Sequence, residues 1–244
     1  MRLKNSAEDI SSDKVKEFYE HRAESYNGQN RKNITMLQDK NPQLSEARNS
    51  AEVSKLFPKM KLDRDSCVLD LACGAGRWLD VMPENIAKYR GIDFSEGMIE
   101  IARSANTRPY AEFFTGSVLE ADKILADEKG SFNRVIIIGS LMYMNDSDII
   151  AMFRKIPELM TMKALICIKA SVGIGARLTL KDFYSDELQS DYNAIYRTRD
   201  EYMNIFAQTL LAESFTVTDE GFMFDDEAMN NRKETIQYYF ILER

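Results

Sequence analysis

Two aspartates stand at the ends of apolar runs, and both are placed to hold a polar ligand. The first lies in Val68-Leu69-Asp70-Leu71-Ala72-Cys73-Gly74-Ala75-Gly76-Arg77, an apolar strand running straight into a turn of small residues. Gly74 and Gly76 carry no Cβ, so the backbone can bend sharply there and come close to a ligand. Asp70 at the strand tip repels an anion and suits an ammonium group. A dinucleotide would need G-x-G-x-x-G with its pyrophosphate on the following helix. Here Arg77, Trp78 and Leu79 follow Gly76, the third glycine is missing, and a bulky Trp78 stands where close packing wants a small residue. The second aspartate ends Gly91-Ile92-Asp93-Phe94-Ser95. A carboxylate at that point can accept both ribose hydroxyl protons, and Ser95 is the better helix cap, which leaves Asp93 free. Phe114-Thr115-Gly116-Ser117-Val118 closes a further strand within reach of a base, and Ile137-Ile138-Gly139-Ser140 ends another. The ligand that fits is an aminoacyl nucleoside.

Proton transfer has two candidates. His21 is the single histidine, the side chain whose unperturbed pKa lies nearest neutrality. Tyr143 follows the Gly139-Ser140 strand end and is placed either to line a pocket or to take a proton. A third group of residues lies between Ser171 and Tyr202, a stretch longer than the fold needs. It holds Arg177, Tyr192, Tyr196, Arg197 and Arg199. If helical, it sets Tyr192, Tyr196 and Arg199 on one face. Arginines among tyrosines suit a planar or sugar-like acceptor carrying phosphate or carboxylate.

The elements that must position these residues alternate. Apolar runs at Cys67–Ala72, Tyr89–Phe94, Glu112–Thr115, Arg134–Ile138 and Leu165–Lys169 are separated by helix-like stretches at Arg77–Ile86, Ser95–Ala105, Leu119–Glu128 and Asp146–Leu159. That rhythm predicts an α/β fold with a parallel sheet covered on both faces. Ser214–Met223 and Glu234–Leu242 read as two more strands without room for a crossover helix, so they pair antiparallel. The expected whole is a doubly wound, seven-stranded, mostly parallel sheet closed by a C-terminal antiparallel hairpin. Before it, residues 1–60 read as a helical lid or cap, with helices over Val15–Tyr26 and about Ser45–Phe57 and a polar, mobile connection at Asn27–Leu44. Residues 61–244 form the ligand-binding domain, with 171–202 as an acceptor-pocket insertion.

Composition narrows the function. The 244 residues are 44% hydrophobic and 29% charged, with a net charge of -7. An acidic surface repels polyphosphate, which speaks against nucleic acid and anionic membranes as partners. Three cysteines and one histidine make neither a disulfide framework nor a zinc site, so no metal is expected. The opening MRLKNSAEDISSDK lacks an apolar stretch for a signal peptide, and no run approaches the roughly 18 apolar residues of a spanning helix. The expectation is a cytoplasmic chain; its oligomeric state is left open.

DLACGAG, GIDFSEGMIEIA, the GSV after the third strand of the domain and IIIGSLMYMND resemble, in order and spacing, the successive motifs of the class I S-adenosylmethionine-dependent methyltransferases. The resemblance covers Ser66 to about Ser171, and the closing hairpin fits it. It implies S-adenosylmethionine as cofactor, with Asp70, Ala72, Cys73, Gly74, Gly76 and Gly139 around its methionine part. Ala72 stands where glycine is usual. Asp93 would hold the ribose, Phe94 and Met98 would flank the adenine, and Gly116, Ser117 and Val118 would edge the base, although many members carry Asp at the position of Ser117. Phe18 to Tyr26 resembles the family's lid helix, which would set Tyr19, Arg22 and Tyr26 over the cofactor. No Asn/Asp-Pro-Pro-Tyr follows the fourth strand and no Pro-Cys nucleophile is present, so a small-molecule acceptor is expected, an anionic sugar or nucleotide-linked sugar. The stretch DELQSDYNAIYRTRDEY resembles methyltransferases of bacterial surface-glycan gene clusters. The alternatives are an NAD-dependent oxidoreductase and a non-catalytic S-adenosylmethionine-binding module.

Overall fold

The computed structural model describes residues 1–37, 41–226, 229–230 and 232–244. A short first strand, β1 (Arg2–Lys4), belongs to a small second sheet. The main sheet is made by β2 (Cys67–Leu71), β3 (Lys88–Asp93), β4 (Ala111–Thr115), β5 (Phe132–Ile138) and β6 (Met160–Gly173), all parallel. The small sheet then takes β7 (Leu178–Ser185) and β8 (Ser190–Tyr196), and the main sheet is closed by β9 (Thr216–Phe222) and β10 (Thr235–Glu243). Strand order is β4-β3-β2-β5-β6-β10-β9, with β10 antiparallel to both neighbours. The doubly wound, seven-stranded sheet with its terminal hairpin is therefore the fold.

Alternation along the strands divides the core in two. Leu69, Leu71, Val135 and Ile137 face one side, where Phe153 and Phe206 cover them. Val68, Ile136 and Cys167 face the other, against Leu56, Trp78 and Ile99. The first cover comes from α6 (Asp146–Leu159) and α7 (Arg199–Ala207), the second from α3 (Pro42–Leu56) and α4 (Glu96–Ala105). Each fully buried Phe or Leu in these layers contributes roughly 1.5–3 kcal/mol.

Three stretches differ from expectation. The helix expected over Arg77–Ile86 is a 3-10 turn over Arg77–Val81. Pro83 is the reason: it forces Met82 into an extended conformation at φ -67° and ψ 141°. Leu119–Glu128 is likewise a chain of short turns around α5 (Ala121–Ile124). The connection after α1 (Ser12–Glu24) holds a helix, α2 (Arg31–Met36), anchored by buried Ile34; positions 38–40 of that connection lie outside the described residues.

The segment expected to carry Tyr192, Tyr196 and Arg199 on a helical face is a hairpin. β7 and β8 pair antiparallel, and β1 adds to the free edge of β7. Tyr192, Ala194 and Tyr196 do share a face, through the two-residue period of a strand. Ile195 points the opposite way, onto Ile10 and Val15. Among the described residues, no helix is long and apolar enough to cross a membrane.

Candidate functional site

The carboxyl ends of the central strands open into one cavity of about 240 Å³, the place where open α/β sheets bind ligands. Asp70, Ala72, Cys73 and Gly74 line it from the first turn, Asp93 and Phe94 from the end of β3. Ser117 and Val118 border it after β4, and Gly139 after β5. The turn is tied to β3 by two hydrogen bonds: Cys73 N–H donates to the Ile92 carbonyl at 3.0 Å, and Gly74 N–H donates to Asp93 Oδ2 at 2.8 Å. Three of its residues have positive φ: Ala72 at 59°, Gly74 at 55° and Gly76 at 74°. Ala72 holds that left-handed conformation at about 1 kcal/mol relative to a relaxed backbone. A Cβ on Gly74 would stand 2.9 Å from Thr35 Cγ2, so α2 presses directly on the turn.

Both acids are desolvated. Burial pushes Asp70 up to about 7, although the Tyr89 hydroxyl donates to its carboxylate. Burial likewise raises Asp93 to about 6, against the N–H groups of Ser95 and Gly74. Asp93 accepts from the Ser95 N–H on one oxygen and the Gly74 N–H on the other, and a carboxylate has about four lone-pair sites to share with further donors. Two carboxylates so placed gain most from a ligand that brings a cation to one and hydroxyl donors to the other.

α1 closes one side of the cavity through Tyr19, whose ring meets Tyr143 edge-on at 5.4 Å. Its position is set by Glu20. That carboxylate accepts from Ser95 Oγ at 2.9 Å, Glu96 N at 2.9 Å and Gly97 N at 3.1 Å, and so caps the start of α4. Contact there is close, since a Cβ on Gly97 would fall 2.7 Å from that of Ala23.

Several expected contacts are placed elsewhere. Arg22 donates to the carbonyls of Ile34 at 2.6 Å and Asn33 at 3.0 Å, which clamps α2 rather than lining the cavity. Tyr26 packs with Ile34, Ala75 and Met98 outside the cavity wall, and Met98 is fully buried beneath the turn. Gly76 and Gly116 sit behind the lining residues, where a Cβ on Gly76 would strike Phe113 and one on Gly116 would strike Ile124. His21 is exposed on α1 and is not part of the cavity wall. Tyr143 does line the cavity, with its hydroxyl 2.8 Å from that of Tyr192. Burial drives the Tyr143 phenol well above its ordinary value, which favours its protonated form in this wall.

Tyr192 and Tyr196 continue that wall, and Arg232 lies across both rings while donating to Tyr196 Oη at 3.1 Å. The three arginines of the insertion do not join them. Arg177 and Arg197 converge on Asp146 at the start of α6. Arg197, fully buried, also donates to the carbonyls of Leu141 and Met144 at 3.0 and 2.7 Å. Arg199 pairs with Glu220 and Asp200 at the surface. Arg177 and Arg197 brace the junction of the two sheets, Arg199 ties α7 to β9, and none of the three lines the cavity.

A charged cluster that the sequence did not announce stands on the opposite wall. Ser45, Arg48, Asn49 and Glu52 are the buried face of α3. Glu52 meets Lys169 of β6 at 2.9 Å and Arg77 at 2.7 Å. Burial raises the Glu52 carboxyl, but Lys169 and Arg77 outweigh it and hold it down to about 2. Arg48, Glu52, Arg77 and Lys169 line the cavity, as do Ser171 and Gln237 on the paired ends of β6 and β10. Arg48 Nε, Trp78 Nε1, Ser140 Oγ and Gln237 Oε1 are buried beside the cavity with no hydrogen-bond partner among the described residues. Unpaired buried polar atoms converging on one space fit a polar ligand there. Among the described residues, no group of three His, Cys, Asp or Glu side chains could hold a metal.

Residues 68–162 match a methyltransferase domain. A demethylmenaquinone methyltransferase from Lactococcus lactis subsp. lactis is 38% identical over 76 residues, 29% of each chain. The matched stretch therefore spans under a third of that relative's length. Among solved structures, a SAM-dependent methyltransferase from Leishmania major superposes with a TM-score of 0.65 at 16% identity, over 94% of this chain and 82% of that one. Phosphoethanolamine N-methyltransferase 1 from Haemonchus contortus, in complex with phosphoethanolamine and S-adenosylhomocysteine, superposes at 0.73 with 16% identity, over 95% of this chain and 48% of that one. At such identities the likeness is one of fold.

Proposed function

We propose that the chain is a class I S-adenosylmethionine-dependent methyltransferase that transfers a methyl group to a small-molecule acceptor, a reading supported by the methyltransferase domain matched over residues 68–162 and by the shared fold. One observation carries the proposal: the desolvated Asp70 and Asp93 share a single cavity with the tyrosine wall and the charged face of α3. Asp70 would receive the cofactor's ammonium, Asp93 its ribose hydroxyls, and Phe94 with Val118 its base. The cofactor, when bound, supplies an electrophilic methyl group on a sulfonium.

The chain's own part is alignment. Tyr19, Tyr143 and Tyr192 exclude water and hold an acceptor against the end of β5, and proximity of this kind can supply on the order of 7–11 kcal/mol in ideal cases. His21 stands outside the cavity wall and burial raises the Tyr143 phenol, which supports alignment without a base from either residue. A dinucleotide reading is disfavoured by the 3-10 turn after Gly76, since no α-helix starts there to receive a pyrophosphate. Of the residues behind a sugar-like acceptor, Tyr192 and Tyr196 line the cavity, whereas Arg177, Arg197 and Arg199 are paired with carboxylates outside it.

Calorimetric titration with S-adenosylmethionine and S-adenosylhomocysteine tests cofactor binding. Mass spectrometry of a metabolite extract, incubated with chain and cofactor, looks for a species heavier by one methylene. The proposal expects binding that Asp93→Ala abolishes, and His21→Ala turnover equal to the parent's. Absence of heat with either compound, or an Asp93→Ala chain indistinguishable from the parent, would sink it.

A further inference from the structure

The buried stripe of α3 is polar where a core-facing helix is normally apolar. Ser45, Arg48, Asn49 and Glu52 follow one another at helical spacing, each less than a tenth exposed. Burying charge in this way is unfavourable unless partners compensate it. Compensation is incomplete: Arg48, Arg77 and Lys169 surround Glu52, whose carboxylate is paired with Arg77 and Lys169, and the Arg77 charge is also felt by Asp70. Arg48 is left over. It is 5% exposed, it lines the cavity, and its Nε has no partner among the described residues. Gln237, 9% exposed, adds a second orphan, since its amide donates to Ser171 Oγ at 2.7 Å while Oε1 finds nothing.

Position separates Lys169 and Gln237 from the cofactor half, with Arg77 standing between Glu52 and Asp70. Lys169 is on β6 and Gln237 on β10, whereas Asp70 is on β2 and Asp93 on β3. The order β3-β2-β5-β6-β10 sets β6 two strands beyond Asp70, roughly 10 Å at the usual strand spacing. The Lys169 ammonium nevertheless reaches back to Gly139, where a Cβ would lie 3.7 Å from Nζ. The cationic group thus faces the end of β5 from the side away from the two aspartates.

We propose that Arg48 and Lys169 form an oxyanion-binding site for the methyl acceptor, so that the acceptor is a small molecule carrying a carboxylate or phosphate, with its body against Tyr143 and Tyr192. Gln237 Oε1 accepts a hydroxyl or ammonium proton from the same molecule. This rests on the methyl-transfer reading for the word acceptor, but the anion site itself does not.

The test titrates the full chain, saturated with S-adenosylhomocysteine, with inorganic phosphate and separately with acetate. Binding of at least one anion is expected, weakened roughly tenfold or more in Arg48→Gln and in Lys169→Met and largely retained in Arg48→Lys. S-adenosylhomocysteine affinity in Arg48→Gln should stay within about twofold of the parent's, which also shows that the variant folds. Equal anion affinity in parent and variants, or no anion binding by the parent, overturns the site. If Arg48→Gln weakens S-adenosylhomocysteine about tenfold but leaves 5′-methylthioadenosine unchanged, the oxyanion is the cofactor's own carboxylate and the assignment to the acceptor falls. Should the parent ignore S-adenosylhomocysteine altogether, the methyltransferase reading fails, and phosphate and acetate on the ligand-free chain still decide the anion site.

Discussion

At the scale of single residues, Asp70 and Asp93 make cofactor binding a matter of pH. Burial pushes Asp70 up to about 7 and Asp93 to about 6, both above an unfolded carboxylate near 4. The folded chain therefore holds more protons than the unfolded chain between about pH 4 and 7, and these two groups make the ligand-free fold less stable as pH rises through that window. An ammonium partner needs Asp70 ionised, so affinity runs the other way. S-adenosylhomocysteine should bind more weakly at about pH 5.5 than at about pH 8, by up to roughly tenfold per unit below the Asp70 value. Calorimetry in buffers of different ionisation enthalpy should show proton release near pH 6. An affinity flat across this range would mean that neither acid meets the ligand.

At the scale of elements, the decisive contact is the carboxylate of α1 seated on the start of α4. Glu20→Gln removes the charge and one acceptor from that cap, which should loosen α1 by about 1 kcal/mol. Tyr19 rides on the same helix, so S-adenosylhomocysteine affinity should fall about fivefold, with faster amide exchange along α1 and little change in the main sheet. Unchanged exchange in α1 would show that Glu20 does not hold it. The sheet and the strand-end acids were legible in the sequence because apolar runs and small-residue turns are local signals. Two things were not. Arg177 and Arg197 looked like ligand-binding residues because their partner, Asp146, is remote in sequence. The polar stripe of α3 escaped because hydrophobic periodicity marks only apolar faces, and the apolar residues of this helix that reach the core, Ala51, Val53 and Leu56, lie toward its end. Its readable trace was Ser45, Arg48, Asn49 and Glu52 at the spacing of one face.

At the scale of the whole molecule, the cavity lies where the seven-stranded sheet meets the small sheet of β1, β7 and β8. Arg197 joins them: it follows β8 directly and reaches the carbonyls that follow β5. Arg197→Met strands those carbonyls and leaves Asp146 with Arg177 alone, so it should lower stability by about 3 kcal/mol, read as an earlier denaturant midpoint with an unchanged slope. A variant as stable as the parent would mean that the two sheets are held together by packing alone. One further property follows from the small-residue turn. Trp78, the single indole of the chain, borders the cavity with its ring nitrogen unpaired among the described residues and the Arg77 guanidinium over its face at 5.4 Å. Whatever fills the space beside it must change its emission, so the molecule carries its own optical gauge of occupancy. Ordered addition of the two ligands can then be followed without a label, one fluorescence step at a time.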